Sequence, residues 1–160
     1  MLYLIEAATD TGLFNEFRKQ AAGPYAPSLR YQGPEDIAVR QKGWLIARKD
    51  THFKPGRKIE EALKYAQRYI AIEPAASLLE EFRTFRDDIL ERWTTVHAAA
   101  VELQRRGSAV TPKTVLAHIQ SIAEWKPKLS RKAFGVERIA QTLEGLRKMR
   151  LLSREGRNVP

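Results

Sequence analysis

Apolar residues at Leu78, Phe82, Phe85, Ile89, Trp93, Val96, Ala100 and Leu103 recur in steps of three and four, the spacing of one continuous helical face. A helix over residues 74–106 would be the longest element in the chain. At about 1.5 Å per residue it would reach roughly 50 Å, and so would divide the chain into a part before it and a part after it. Pro74 suits a first helical turn, where no amide donor is needed. Gly107-Ser108 ends the pattern, and Trp93-Thr94-Thr95 is where it could break.

Charge separates the two flanking parts. Residues 105–160 carry thirteen Lys/Arg against four acids, a difference of nine that equals the whole formal net charge of +9; the remaining fifteen bases and fifteen acids cancel. A positive field confined to one module marks a surface that polyanions would find. The 43% hydrophobic content and three Trp point to a folded chain, and no apolar run is long enough to span a bilayer. With no Cys, disulfides and thiolate chemistry are excluded. The opening Met-Leu-Tyr-Leu-Ile-Glu lacks the basic and long apolar regions of a secretory leader, so a cytoplasmic location without membrane contact is expected.

Within the basic part, Thr111-Pro112 reads as an N-cap followed by a first-turn proline, opening a helix to about residue 123. A connector over 125–135 carries Lys126, Lys128, Arg131 and Lys132. A further helix over 136–150 places Val136, Ile139, Leu143 and Leu146 on a core-facing stripe. A short strand at 151–153 and a turn at 154–158 would complete a small basic hairpin, the order of a winged helix or helix-turn-helix module. Arg138, Gln141 and Thr142 then lie opposite the stripe, within reach of base edges. Arg131, Lys132, Arg154, Arg157 and Asn158 would meet phosphates, with Lys126 and Lys128 beside them and Lys148 suited to either. DNA is the first expectation and RNA the weaker one; with no aromatics arranged as a stacking platform, the sequence does not separate the two. Winged helices also dock proteins, so that alternative stays open.

The N-terminal part reads as a short apolar helix over 1–8, a connector over 21–27, a helix over 34–42 ended by Gly43, a strand over 44–49, a loop over 50–57 and an amphipathic helix over 57–72. No cap precedes Leu2, which suggests an internal or truncated start. The expected fold is mainly α with small β-wings: a helical domain over 1–73, a connecting helix over 74–106 and a winged helix over 107–160. Gly23, Pro24 and Tyr25 of the connector, with Phe82 and Phe85 of the long helix, are the candidate contacts for a protein partner or second copy.

Nothing in the sequence assembles a catalytic site. His52, His97 and His118 share no metal-ligand spacing, and there is no Gly-Lys-Ser/Thr phosphate loop and no GxGxxG. Glu60-Glu61, Glu80-Glu81 and Asp87-Asp88 fall on helices, where neighbours diverge by about 100° and cannot form a carboxylate dyad. Pro34-Glu35-Asp36 stands ahead of a strand, but that strand offers Leu45-Ile46-Ala47-Arg48 in place of the second carboxylate and lysine of a metal-dependent nuclease. No cofactor, metal or enzyme activity is expected.

Leu2-Tyr3-Leu4, the run Ala21-Ala22-Gly23-Pro24-Tyr25-Ala26-Pro27-Ser28, Lys42-Gly43-Trp44 and Lys54-Pro55-Gly56 resemble an accessory domain found with the specificity subunits and DNA methylases of type I restriction-modification systems. Trp125-Lys126-Pro127-Lys128 and the ending Leu-Arg-Lys-Met-Arg-Leu-Leu are similar to its C-terminal part. The Tyr-Leu helix with a downstream Gly-Pro-x-x-Pro-Ser is also similar to the Panacea antitoxin domain. These resemblances imply a role in DNA restriction or an antitoxin-like setting, and supply no catalytic residues. These 160 residues are expected to be too few for a complete specificity subunit, and they contain no recognisable target-recognition domain.

Overall fold

The apolar repeat across 74–106 folds as two helices. The computed structural model describes residues 2–10, 12, 14–28, 33, 36–47, 53–68 and 72–152. Helix α1 spans Leu2–Thr9, and an antiparallel hairpin pairs β1 (Arg18–Gln20) with β2 (Gly23–Tyr25). A second hairpin pairs β3 (Leu45–Ala47) with β4 (Phe53–Pro55). Helices α2 (Ile59–Ala66), α3 (Ile72–Phe82), α4 (Asp87–Arg105), α5 (Pro112–Ser121) and α6 (Val136–Lys148) follow. The fold is mainly helical, with two small two-stranded sheets among the described residues.

The expected long helix breaks at residues 83–86, ahead of Trp93. Arg86 is extended (φ −74°, ψ 161°), and its guanidinium grips Asp88 at 3.2 and 3.0 Å. Packing explains the break. In a straight helix Phe82 and Trp93 would stand about 16 Å apart along the axis. The turn brings their ring centroids to 5.3 Å, and Phe85 completes the cluster at 5.1 Å from Phe82 and 5.5 Å from Trp93. Three aromatics thus bury one another at the cost of one helical turn.

Helix α4 is the centre of the molecule. Every residue from Arg92 to Ala100 is buried, because β2, α5 and α6 all pack on it and α1 reaches it through Tyr3. A single core cluster therefore runs from Tyr3 and Leu4 through Trp93 and Val96 to Ile139, Leu143 and Leu152. The expected boundaries at 73/74 and 106/107 do not divide that core: the neutral α1 and the basic α6 close on the same helix.

Both ends of this helical cluster are capped. Gly107 (φ +67°) takes the left-handed position after α4, with Ser108 N donating to Leu103 O at 2.9 Å. Thr111 and Thr114 exchange side-chain and backbone bonds at the start of α5, with Pro112 in the first turn as the sequence suggests. Arg150 (φ +60°) repeats the left-handed stop after α6, and Leu151 N donates to Leu146 O at 2.9 Å. Leu151 and Leu152 are thus a buried helix stop rather than the start of a strand.

Other boundaries also shift. The connector at 21–27 supplies β2, the loop at 50–57 supplies β4, and the helix expected over 57–72 is only Ile59–Ala66. In place of a helix over 34–42 stands one π-helical turn, Ile37–Gln41, closed by Lys42 N to Ile37 O at 2.9 Å. Val136, expected in the core, is 56% exposed; one turn later Ile139 makes the first buried contact of α6.

Helix α6 meets α4 tightly at Gly145, where an added Cβ would fall 2.3 Å from Cη2 of the Trp93 indole. Alanine normally stabilises a helix interior over glycine by about 1 kcal/mol. Here Gly145→Ala is expected to reverse that sign and destabilise by about 2 kcal/mol through overpacking. Thermal melts should show a midpoint lower by roughly 4–8 °C; an unchanged or higher midpoint would mean that the crossing is looser than described.

Candidate functional site

Between α5 and α6 the chain does not make the short turn of a helix-turn-helix. Residues 122–135 form two 3₁₀ segments, Lys126–Ser130 and Lys132–Phe134. Trp125 anchors them: its side chain is fully buried and donates from Nε1 to Gln20 O at 3.0 Å. This fastens the N-terminal hairpin to the basic part.

The cations of this segment divide into two sets. Lys126 and Lys132 are exposed and hold no carboxylate among the described residues. Lys128 and Arg131, expected on nucleic acid, instead converge on Glu91 of α4. The Lys128 side chain is 3% exposed and its ammonium bonds Glu91 Oε1 directly, while Arg131 Nη1 lies 2.9 Å from Glu91 Oε2. Both cations also lie 5.6 Å from the centre of the buried Phe134 ring. Burial pushes the Lys128 ammonium below its usual range, and the Glu91 carboxylate opposes that shift. Lys128 is a structural cation.

On α6, Arg138 and Gln141 are exposed and joined at 3.1 Å, and Lys148 is exposed. Thr142 is not available to a base edge. It is 1% exposed, accepts from Arg92 Nε at 3.0 Å and donates to Arg138 O at 2.8 Å. Arg92 Nη1 donates to Ala133 O at 3.1 Å, so its buried guanidinium stitches α4 to α6 and the second 3₁₀ segment. Burial and the nearby Arg138 both disfavour its charge. Arg154, Arg157 and Asn158 lie outside the described residues.

Glu91 and Arg92 carry this arrangement, yet periodicity conceals them. Both stand off the stripe of Ile89, Trp93 and Val96 and read as a solvated face. The available signal is size. Thr94, Thr95, Ala98, Ala99 and Ala100 keep α4 slim on several sides, which suits a helix packed all round.

The candidate partner contacts are largely interior. Gly23 is buried, and a Cβ there would come within 3.1 Å of Thr94 Oγ1 and 3.2 Å of Thr95 Oγ1. Pro24 and Tyr25 are half-buried in the hairpin that packs on α4. Phe82 is in the core, and Phe85 packs against it. They hold the chain to itself.

His97 is a structural residue. Nε2 meets Leu151 O at 2.9 Å and Nδ1 meets Tyr3 Oη at 3.1 Å. A carbonyl only accepts, so Nε2 carries the proton and Nδ1 accepts from the phenol. Burial holds the imidazole pKa down at about 4 and raises that of Tyr3. Glu102 collects His118 Nε2 at 2.8 Å and Lys19 Nζ at 2.7 Å; burial raises its carboxyl pKa, but these partners hold it below the usual value. His52 lies outside the described residues.

Among the described residues no cluster of His, Asp and Glu could hold a metal ion, and no helix is long and apolar enough to cross a membrane. Comparison with protein-family models, curated proteins and solved structures finds no match for the chain.

Proposed function

We propose that the chain is a non-enzymatic accessory protein that binds duplex nucleic acid, DNA in the first instance, through its C-terminal cations, and holds a protein partner through its N-terminal part. The observation that carries this reading is that Lys126, Lys132, Arg138, Lys148 and Arg150 are exposed and form no ion pair with a described carboxylate. Unneutralised cations are what release counterions from a phosphate backbone. In this reading α4, α5 and α6 are the helices of a winged helix, and Arg154, Arg157 and Asn158, which lie outside the described residues, meet phosphates. Arg138 and Gln141 face base edges, and Thr142 does not. The restriction-modification setting rests on the motif resemblance.

A second reading, an antitoxin-like or scaffold module without nucleic-acid contact, draws on the exposed apolar side chains Ile46, Phe53, Leu63 and Tyr65. Anisotropy titration of a labelled DNA duplex at about 50 mM and about 200 mM salt separates the two. Binding that weakens with salt is expected. Arg138→Glu with Lys148→Glu should lower affinity by tenfold or more and flatten the salt slope by about two. Absence of binding at the lower salt, or indifference to both substitutions, removes the nucleic-acid reading.

A further inference from the structure

The second hairpin and its neighbours contribute nothing to the main core. No residue of the π turn, β3, β4 or α2 belongs to the cluster that runs from Tyr3 to Leu152. These elements hold one another instead. Trp44 N donates to Ala38 O and Gly56 N to Trp44 O, each at 2.8 Å, and the Trp44 and Tyr65 rings lie 5.9 Å apart. Helix α2 buries no residue. Of the eight large apolar side chains exposed among the described residues, five (Ile37, Ile46, Phe53, Leu63 and Tyr65) lie in this segment. Apolar exposure concentrated in one segment suits an interaction surface, of which Ile46 lines the groove described next, and a two-stranded ribbon gains from a covering partner.

An open groove of about 520 Å³ shows what kind of partner fits. Val39, Leu45 and Ile46 contribute an apolar floor, Lys42, Arg57 and Lys58 contribute cations, and no carboxylate among the described residues lines it. The β3–β4 sheet has two strands among the described residues, an arrangement that an extended chain can join as a further strand. A nucleic acid would satisfy the cations but not an aliphatic floor that offers no ring for base stacking. An extended peptide with acidic side chains between apolar anchors satisfies floor, cations and strand edge together. We infer that this groove docks an acidic, apolar-anchored segment of a partner protein. The inference deepens the docking half of the proposed function, moves that docking away from Gly23, Pro24 and Tyr25, and is independent of the nucleic-acid half.

The test uses the full chain and a fluorescein-labelled short peptide of alternating glutamate and valine with a central tryptophan, beside its lysine-for-glutamate counterpart. The acidic peptide should bind and the basic one should not. Lys42→Glu with Lys58→Glu, and separately Ile46→Asp, should each weaken binding by about tenfold or more, with circular dichroism and thermal midpoint retained in the exposed-lysine variant. Arg138→Glu with Lys148→Glu should leave peptide binding intact. The inference is overturned by no binding, equal binding of both peptides, indifference to the groove substitutions, or displacement of the peptide by an oligothymidine. A dimer in sedimentation equilibrium that Ile46→Asp dissociates would overturn it by assigning the groove to a second copy. If peptide binding fails while DNA binding still depends on Arg138 and Lys148, the docking half falls alone.

Discussion

Replacing Glu91 with alanine should cost the protein about 3–5 kcal/mol, the scale for removing one partner of a buried ion pair. The Lys128 side chain is 3% exposed, and the carboxylate it meets belongs to the central helix. Without Glu91 the ammonium has Arg131 beside it and an aromatic ring below, but no anion. It must lose its proton, drag in water or pull the 3₁₀ segment off α4. Lys128→Met is expected to cost far less, because it removes the buried charge along with the pair.

The pH dependence should change in a defined direction. In the Glu91→Ala protein, burial acts on Lys128 unopposed, so the folded chain binds fewer protons there than the unfolded one. Stability then climbs with pH from the lowered folded-state value up to the ordinary lysine value of about 10. Urea unfolding of wild type, Glu91→Ala and Lys128→Met at several pH values measures all of this. Equal losses in the two variants would show that Lys128 is solvated and the pair peripheral.

Acidification should remove about 3 kcal/mol through His97 alone. Its folded pKa of about 4 stands against an ordinary value of 6.5, and each unit is worth about 1.4 kcal/mol. The unfolded chain takes up a proton near pH 6.5 that the folded chain refuses until about pH 4. The contribution is therefore complete above pH 6.5, falls as the pH drops through that interval, and levels off below about pH 4. Protonation would place a charge between Tyr3, the core and Leu151 O, where Nδ1 could no longer accept from the phenol. The control is His97→Gln, less stable at neutral pH but lacking this slope. Chemical denaturation between about pH 4.5 and pH 7.5 compares them. Parallel slopes in the two proteins would assign the acid sensitivity elsewhere.

The caps show how much of this fold is local. Thr111-Pro112 and Gly107 mark helix ends because an N-cap hydroxyl, a first-turn proline and a left-handed glycine do the same work in almost any surroundings. The stripe of Ile139, Leu143 and Leu146 is legible for the same reason. The break at 83–86 is not, because Phe82, Phe85 and Trp93 fit the period of an unbroken helix. Only their mutual burial, a contact between α3 and α4, favours the turn. Thr142 and Lys128 are illegible in a related way. Each is polar and off the stripe, and each is buried by a partner on α4 that no local rule connects to it.

The sequence by itself determined that the chain is mainly helical, that its net charge lies wholly in residues 105–160, and where α5 begins and α4 ends, since composition and local hydrogen bonding suffice for these. Tertiary structure decided which charges remain available. Glu91 claims Lys128 and Arg131, and Arg92 claims Thr142, while Lys126, Lys132, Arg138, Lys148 and Arg150 stay on the described surface. It also decided that the conspicuous Gly23-Pro24-Tyr25 run packs inward while the second hairpin keeps its apolar side chains exposed. The physical reason is that solvent access depends on what the rest of the chain brings alongside, and α4, enclosed by α1, the first hairpin, α5 and α6, is where those distant segments meet.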